Sequence, residues 1–151
     1  MLGLEDKYCV ITGGSGGIGQ AIARKLLEFG AKVVLTDLDE AIGQSTAKAL
    51  ARRFGGEVRF HVLDVTDFNA CHKFADDIVD EVGAVHGLVT AAGICMASAA
   101  SDYTPELWKQ TYSVNVDGTF FPILAFSRHM MGTDASIVTV GSICGSTVTS
   151  P

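Results

Sequence analysis

The sequence predicts an α/β protein built as a doubly wound parallel sheet, with helices covering both faces in three αβα layers. Three observations carry that prediction. β-prone runs alternate with segments of helical periodicity along the whole chain. The connections between runs are of helical length, which is what parallel neighbours require. The mean hydropathy of +0.31 is high, yet no apolar run is long enough to cross a bilayer. Parallel strands buried on both faces produce the same signal.

The elements follow in order. Tyr8 to Thr12 (YCVIT) is a short β-prone run that stops at Gly13 and Gly14. Ile18, Ile22, Leu26 and Phe29 recur at helical spacing, and Gly30 stops the helix. Lys32 to Thr36 is the second strand, and Ala41 to Phe54 a helix ending at Gly55. Val58 to Leu63 is the third strand. Phe68 to Val82 is amphipathic through Phe68, Cys71, Phe74, Ile78 and Val82. His86 to Thr90 is the fourth strand, followed by a loop of small residues, Ala91 to Ser101. Pro105 opens a long helix, expected to run unbroken to about Met131. Trp108 and Tyr112, four apart on it, are expected to pack together, and Met130 and Met131 to pack at its end. Ser136 to Val140 is the fifth strand. The alternation reads as one domain over residues 1–151.

Composition narrows the function. The chain has 151 residues, 48% hydrophobic and 19% charged, which excludes a disordered tail, a fibrous repeat or a coiled coil. Eleven basic and 17 acidic residues give a net charge of −6, and no basic stripe is present to neutralise a phosphate backbone. Nucleic acid and membrane are therefore not expected partners. Met1 to Asp6 lacks the basic start of a signal peptide. Cys9, Cys71, Cys95 and Cys144 form no CxxC pair, so reduced thiols in a cytoplasmic protein are expected. The four histidines make no pair at ligand spacing, and no metal is expected.

The strongest local signal is the run Thr12 to Gly19 (TGGSGGIG), set between the first strand and the first helix. Glycine lets backbone turn sharply and approach a ligand with no Cβ in the way. The following helix then points free N–H groups and its positive end at a phosphate. In that context the run implies a dinucleotide diphosphate and a Rossmann-type fold. The spacing itself is ambiguous. Gly14, Gly16 and Gly19 satisfy GxGxxG; Gly13, Gly16 and Gly19 satisfy GxxGxxG; Gly13, Gly17 and Gly19 satisfy GxxxGxG.

Asp37 ends the second strand, where a carboxylate accepts hydrogen bonds from adenosine ribose hydroxyls and repels a 2′-phosphate. Leu38 follows it, and no Arg or Lys lies between Thr12 and Gly19, so NAD is favoured over NADP. Asp39 suits the N-cap of the next helix. Asp64 is a candidate acceptor for the adenine amino group, with capping of the next helix by Asp64 or Asp67 as the competing reading.

Together these residues resemble the classical short-chain dehydrogenase/reductase family, and the resemblance runs the length of the chain. Thr12 to Gly19 is similar to the family's TGxxxGxG cofactor loop, which implies cofactor contacts at Gly13, Ser15, Gly16, Gly17, Ile18 and Gly19. Asp37 and Leu38 then face the adenosine, and Asp64 and Val65 resemble the adenine-contacting pair. Ala92 and Gly93 match the end of the NNAG motif, with Thr90 and Ala91 standing in place of its two asparagines. Trp108 to Phe120 (WKQTYSVNVDGTF) resembles the central helix and places Asn115 at the catalytic asparagine. Ile137 to Gly145 (IVTVGSICG) places Ser142 at the catalytic serine, with Cys144 two residues on and no redox role expected for it.

The resemblance implies hydride transfer between a nicotinamide cofactor, NAD ahead of NADP, and an alcohol or ketone. It also implies a homo-oligomer, a dimer or tetramer. The family's catalytic Tyr-x-x-x-Lys segment is expected a short way beyond Ser142. No Tyr follows Tyr112 and no Lys follows Lys109. The chain is therefore expected to be the N-terminal, cofactor-binding portion of a longer enzyme, truncated after the fifth strand and inactive alone. The alternative is a non-catalytic module that binds a dinucleotide or pairs with another subunit. A nucleotide-sugar epimerase, allowed by GxxGxxG, is disfavoured by the contexts of Asn115 and Ser142.

Overall fold

The computed structural model describes residues 3–96 and 99–143. Ala97, Ser98, Cys144 and Gly145 lie outside the described residues. The chain runs β1 (Tyr8–Thr12), α1 (Gly17–Glu28), β2 (Lys32–Asp37), α2 (Glu40–Phe54), β3 (Val58–Val62), α3 (Phe68–Val82), β4 (Gly87–Thr90), α4 (Pro105–Tyr112), α5 (Gly118–Met130) and β5 (Ser136–Thr139). A 3-10 turn at Ala100–Asp102 interrupts the small-residue loop.

All strand pairs are parallel, and the sheet order is β3-β2-β1-β4-β5. This is a Rossmann-type sheet. The chain winds outward from β1 to β2 and β3, then returns to the other side for β4 and β5. The winding reverses between β1 and β4, which opens a crevice at their carboxyl ends. Alternate residues of each strand face opposite layers. Val10, Val34 and Leu88 pack against Phe74 and Ile78 of α3 and Phe126 of α5. Ile11, Val33, Leu35 and Val89 pack against Ala23 and Leu27 of α1 and Ala47 and Leu50 of α2. Phe126 is wholly buried, with its ring edge-on to Phe74 at 5.8 Å. Burial of a side chain of that kind contributes about 1.5–3 kcal/mol.

Helix starts follow local chemistry. Asp39 accepts from Ile42 N–H and caps α2, as its position predicts. Asp67, not Asp64, caps α3 by accepting from Ala70 N–H. Thr104 caps α4, with Pro105 in the first turn.

The long helix expected over Pro105 to Met131 is three pieces. A π-helical stretch, Ser113–Asp117, separates α4 from α5. The π turn coincides with Asn115, whose side chain is tied to the neighbouring loop, and Pro122 inside α5 has no N–H for the regular ladder. Trp108 and Tyr112 stack at 5.9 Å as their spacing predicts. Met130 is buried, but Met131 is 77% exposed, because the chain leaves helical geometry at that residue. β5 lies at the sheet edge with all four residues exposed. Among the described residues, no helix is long and apolar enough to cross a membrane.

Candidate dinucleotide and active site

The turn after β1 is held by backbone contacts that leave no room for side chains. Gly13 has φ +64°, and a Cβ there would sit 2.7 Å from Ala92 Cα. A Cβ on Gly19 would sit 2.3 Å from the Gly13 carbonyl oxygen, so α1 starts directly against the turn. Gly16 N–H donates to the Gly13 carbonyl at 3.1 Å, and Gly14 N–H to the Thr36 carbonyl at 2.9 Å. Gly17 differs: a Cβ there meets nothing within 4 Å. Its lack of a side chain is not demanded by packing inside the protein.

Helix α1 begins at this open point with Gly16 at its N-cap, no side-chain cap and no acidic residue in its first turn. α2, α3 and α4 each carry a side-chain acceptor there. Ile18 stands 59% exposed beside the opening. The Ser15 hydroxyl is buried without a hydrogen-bond partner among the described residues. Open backbone, an uncapped positive helix end and an apolar flank fit a dinucleotide diphosphate.

Asp37 reaches this turn from the end of β2. One carboxylate oxygen accepts from Ser15 N–H at 3.0 Å, and the other from Leu38 N–H at 2.9 Å. Leu38 is 65% exposed. On the other side of β1, the Thr12 hydroxyl accepts from Ala91 N–H at 3.2 Å and Ala92 N–H at 3.3 Å. The ends of β1, β2 and β4 thus bring Gly13 to Gly19, Asp37, Leu38 and Ala91 to Gly93 to one edge of the sheet.

Asp64 lies farther along this edge, beyond β3, in a tight turn that accepts from both the N–H and the hydroxyl of Thr66. Val65 is buried, and Gly118 packs so closely on it that a Cβ at Gly118 would sit 2.6 Å from a Val65 methyl. Only the backbone of Val65 is left to meet a ligand.

Asn115 lies in the π turn and is bound to the loop after β4. Its Oδ1 accepts from Ile94 N–H at 2.8 Å, and its Nδ2 donates to the Ile94 carbonyl at 2.9 Å. Its own carbonyl accepts from the Thr119 hydroxyl at 2.9 Å. Ser142 is exposed just beyond β5, the strand beside β4. Thr90, one of the two departures from the family motif, is buried with its hydroxyl unpartnered among the described residues.

Sequence reasoning missed the bridging roles of Thr12, Ile94 and Gln20, whose Nε2 donates to the Ser15 carbonyl at 2.6 Å. Thr12 was visible as the last strand residue before the glycines; Ile94 carried no signal, because it contributes backbone. Cys9 and Cys71 are buried thiols, pushed up by desolvation to about 11 and about 12, values that suit packing rather than nucleophilic chemistry.

The family model described as short chain dehydrogenase matches residues 7–150. The chain belongs to this family. This chain is 39% identical over 145 residues to an acetoacetyl-CoA reductase of Synechocystis, covering 95% of this chain and 56% of that protein. It is 38% identical over 146 residues to an NADP-dependent (R)-specific alcohol dehydrogenase of Lentilactobacillus kefiri, covering 94% of this chain and 56% of that protein. A solved structure of NAD+-bound xylitol dehydrogenase superposes with a TM-score of 0.89 at 31% identity, covering 95% of this chain and 55% of that one. The chain thus spans a little over half the length of these relatives.

Proposed function

We propose that this chain is the dinucleotide-binding part of an oxidoreductase that passes a hydride between NAD and a small alcohol or ketone. In this reading Gly13, Ser15, Gly16, Gly17, Ile18 and Gly19 cradle the diphosphate through bare amides and the positive end of α1. Asp37 takes the adenosine ribose hydroxyls, and Leu38 lends apolar surface. Asp64 accepts from the adenine amino group, with the Val65 backbone beside it. Ala91, Ala92 and Gly93 border the cofactor along the end of β4. When bound, the nicotinamide supplies or accepts the hydride. Ser142 donates to the substrate oxygen. The Asn115 carboxamide is spent on Ile94, so Asn115 fixes the loop after β4 and offers a remaining lone pair of its carbonyl to a water. No Tyr follows Tyr112 and no Lys follows Lys109, so the chain alone binds without turnover. A reducing cytoplasm and assembly into homo-oligomers complete the reading.

The observation that carries it is Gly17, open on its outer side while Gly13 and Gly19 close the turn behind it. Calorimetric titration of NAD and NADP tests it. NAD binds more tightly, and Asp37→Ala weakens NAD more than NADP. Binding of neither dinucleotide, or equal losses for both, overturns the assignment. Oxidation of an alcohol by the pure 151-residue chain overturns the absence of turnover. A second reading, a subunit-pairing module without catalysis, is favoured by the exposed edge strand β5, where Val138 is 55% exposed. Sedimentation without any dinucleotide binding distinguishes it.

A further inference from the structure

Ser15 is held by side chains from two elements at once. Its N–H donates to the Asp37 carboxylate at the end of β2, at 3.0 Å, and its carbonyl accepts from Gln20 Nε2 in α1, at 2.6 Å. The peptide plane that joins Ser15 to Gly16 is fixed at both ends, because its N–H, on Gly16, donates to the Gly13 carbonyl at 3.1 Å. Glycine stands at 16 and 17, and glycine tolerates either orientation of a neighbouring peptide plane. A flip of this plane breaks both bonds and frees the Ser15 carbonyl, whose oxygen repels an anion arriving at the helix entry.

The backbone of α1 does not demand the Gln20 contact. The Gln20 N–H makes the first helix bond, to the Gly16 carbonyl at 2.9 Å, and the side chain reaches back one residue farther, to Ser15. A carbonyl needs a donor, and only the NH2 end of the carboxamide supplies one. An ionised glutamate at this place has no donor, and it would set negative charge against a diphosphate at the start of α1. Glutamine donates without charge.

We infer that Gln20 is a positioning residue for the diphosphate turn: it holds the Ser15–Gly16 peptide so that the amides of Gly17 and Ile18, at the uncapped start of α1, are presented to the ligand. This rests on the reading of the turn as the dinucleotide site. A turn ordered in advance spares the ligand the cost of ordering it. Asp37 and Gln20 then act on different parts of the cofactor. Asp37 meets the adenosine ribose, where NAD and NADP differ. Gln20 acts on the diphosphate, which both share, so its loss weakens both alike.

The test compares the 151-residue chain with Gln20→Met and Gln20→Glu. The first keeps the reach of the side chain and its helix propensity but removes the donor; the second also adds charge. NAD and NADP are titrated by calorimetry, and the Ser15 carbonyl carbon is followed by NMR in 13C- and 15N-labelled protein. Gln20→Met is expected to shift the Ser15 carbonyl signal before any ligand is added, and to weaken NAD and NADP by the same factor, about threefold to tenfold, the worth of one hydrogen bond. Gln20→Glu is expected to weaken both further. Unchanged affinity in Gln20→Met overturns the inference and leaves the cofactor reading standing. So does a loss confined to NAD, or an affinity loss with the Ser15 carbonyl signal unmoved. A wild-type chain that binds neither dinucleotide overturns the cofactor reading and this inference with it.

Discussion

The carboxamide of Asn115 grips the backbone of Ile94 at both its N–H and its carbonyl, at 2.8 and 2.9 Å. One side chain thereby holds the loop after β4 against the π turn between α4 and α5. Asn115→Ala loses both bonds and is expected to cost about 1–2 kcal/mol. Asn115→Asp keeps an acceptor for Ile94 N–H but sets a carboxylate oxygen against the Ile94 carbonyl, and should cost at least as much. Urea unfolding followed by the single Trp108 measures both.

Thr12 and Thr90 are register partners and both buried, yet their hydroxyls differ in use. Thr12 satisfies two amides; Thr90 Oγ1 satisfies none among the described residues. Thr12→Val should destabilise by about 1–3 kcal/mol, because two donors lose their acceptor. Thr90→Val, nearly isosteric, should be neutral or stabilising, because it removes a desolvated hydroxyl. A fall in the urea midpoint of Thr90→Val comparable to that of Thr12→Val would show that the Thr90 hydroxyl has a partner after all.

Gly17 and Gly19 separate binding from folding. Gly17→Ala places a methyl in open space and should leave the thermal midpoint nearly unchanged, while NAD affinity drops roughly tenfold or more. Gly19→Ala drives a methyl to 2.3 Å from the Gly13 carbonyl oxygen and should lower stability itself. Paired melting and calorimetry on the two variants check the contrast.

His86 makes stability depend on pH. Desolvation, then the nearby charge of Lys7, holds its pKa below the ordinary 6.5. Its Nδ1 also accepts from Tyr8 N–H at 3.4 Å, which requires that nitrogen to be unprotonated. The unfolded chain therefore binds a proton more readily than the folded one. The contribution of neutral His86 is complete above the ordinary value and is lost as pH falls through it toward the lower folded value. The urea midpoint should drop between about pH 8 and about pH 5, and His86→Gln should shrink that drop.

The strands, the glycine turn, the cap at Asp39 and the helix start at Pro105 were legible because each is specified by neighbours within a few residues. The choice between Asp64 and Asp67 was not legible, since either could cap α3 from its sequence position. It was decided by the path of the chain, which turns on Asp64 through Thr66 and leaves Asp67 at the helix start. The division of the helix after Pro105 was only partly legible: Pro122 stands in the sequence, but the tie of Asn115 to Ile94 joins the helix to another loop.

By itself the sequence determined the alternation of strands and helices, the uncapped glycine-rich entry to α1 and the carboxylate at Asp37, because hydrophobic period and turn chemistry act locally. Only the tertiary structure decided that β4 lies beside β1, that Thr12 supports Ala91 and Ala92, and that the Asn115 side chain is committed to Ile94. Those relations join residues distant in the chain, and they follow from burial and hydrogen-bond satisfaction across the sheet, which no local pattern encodes.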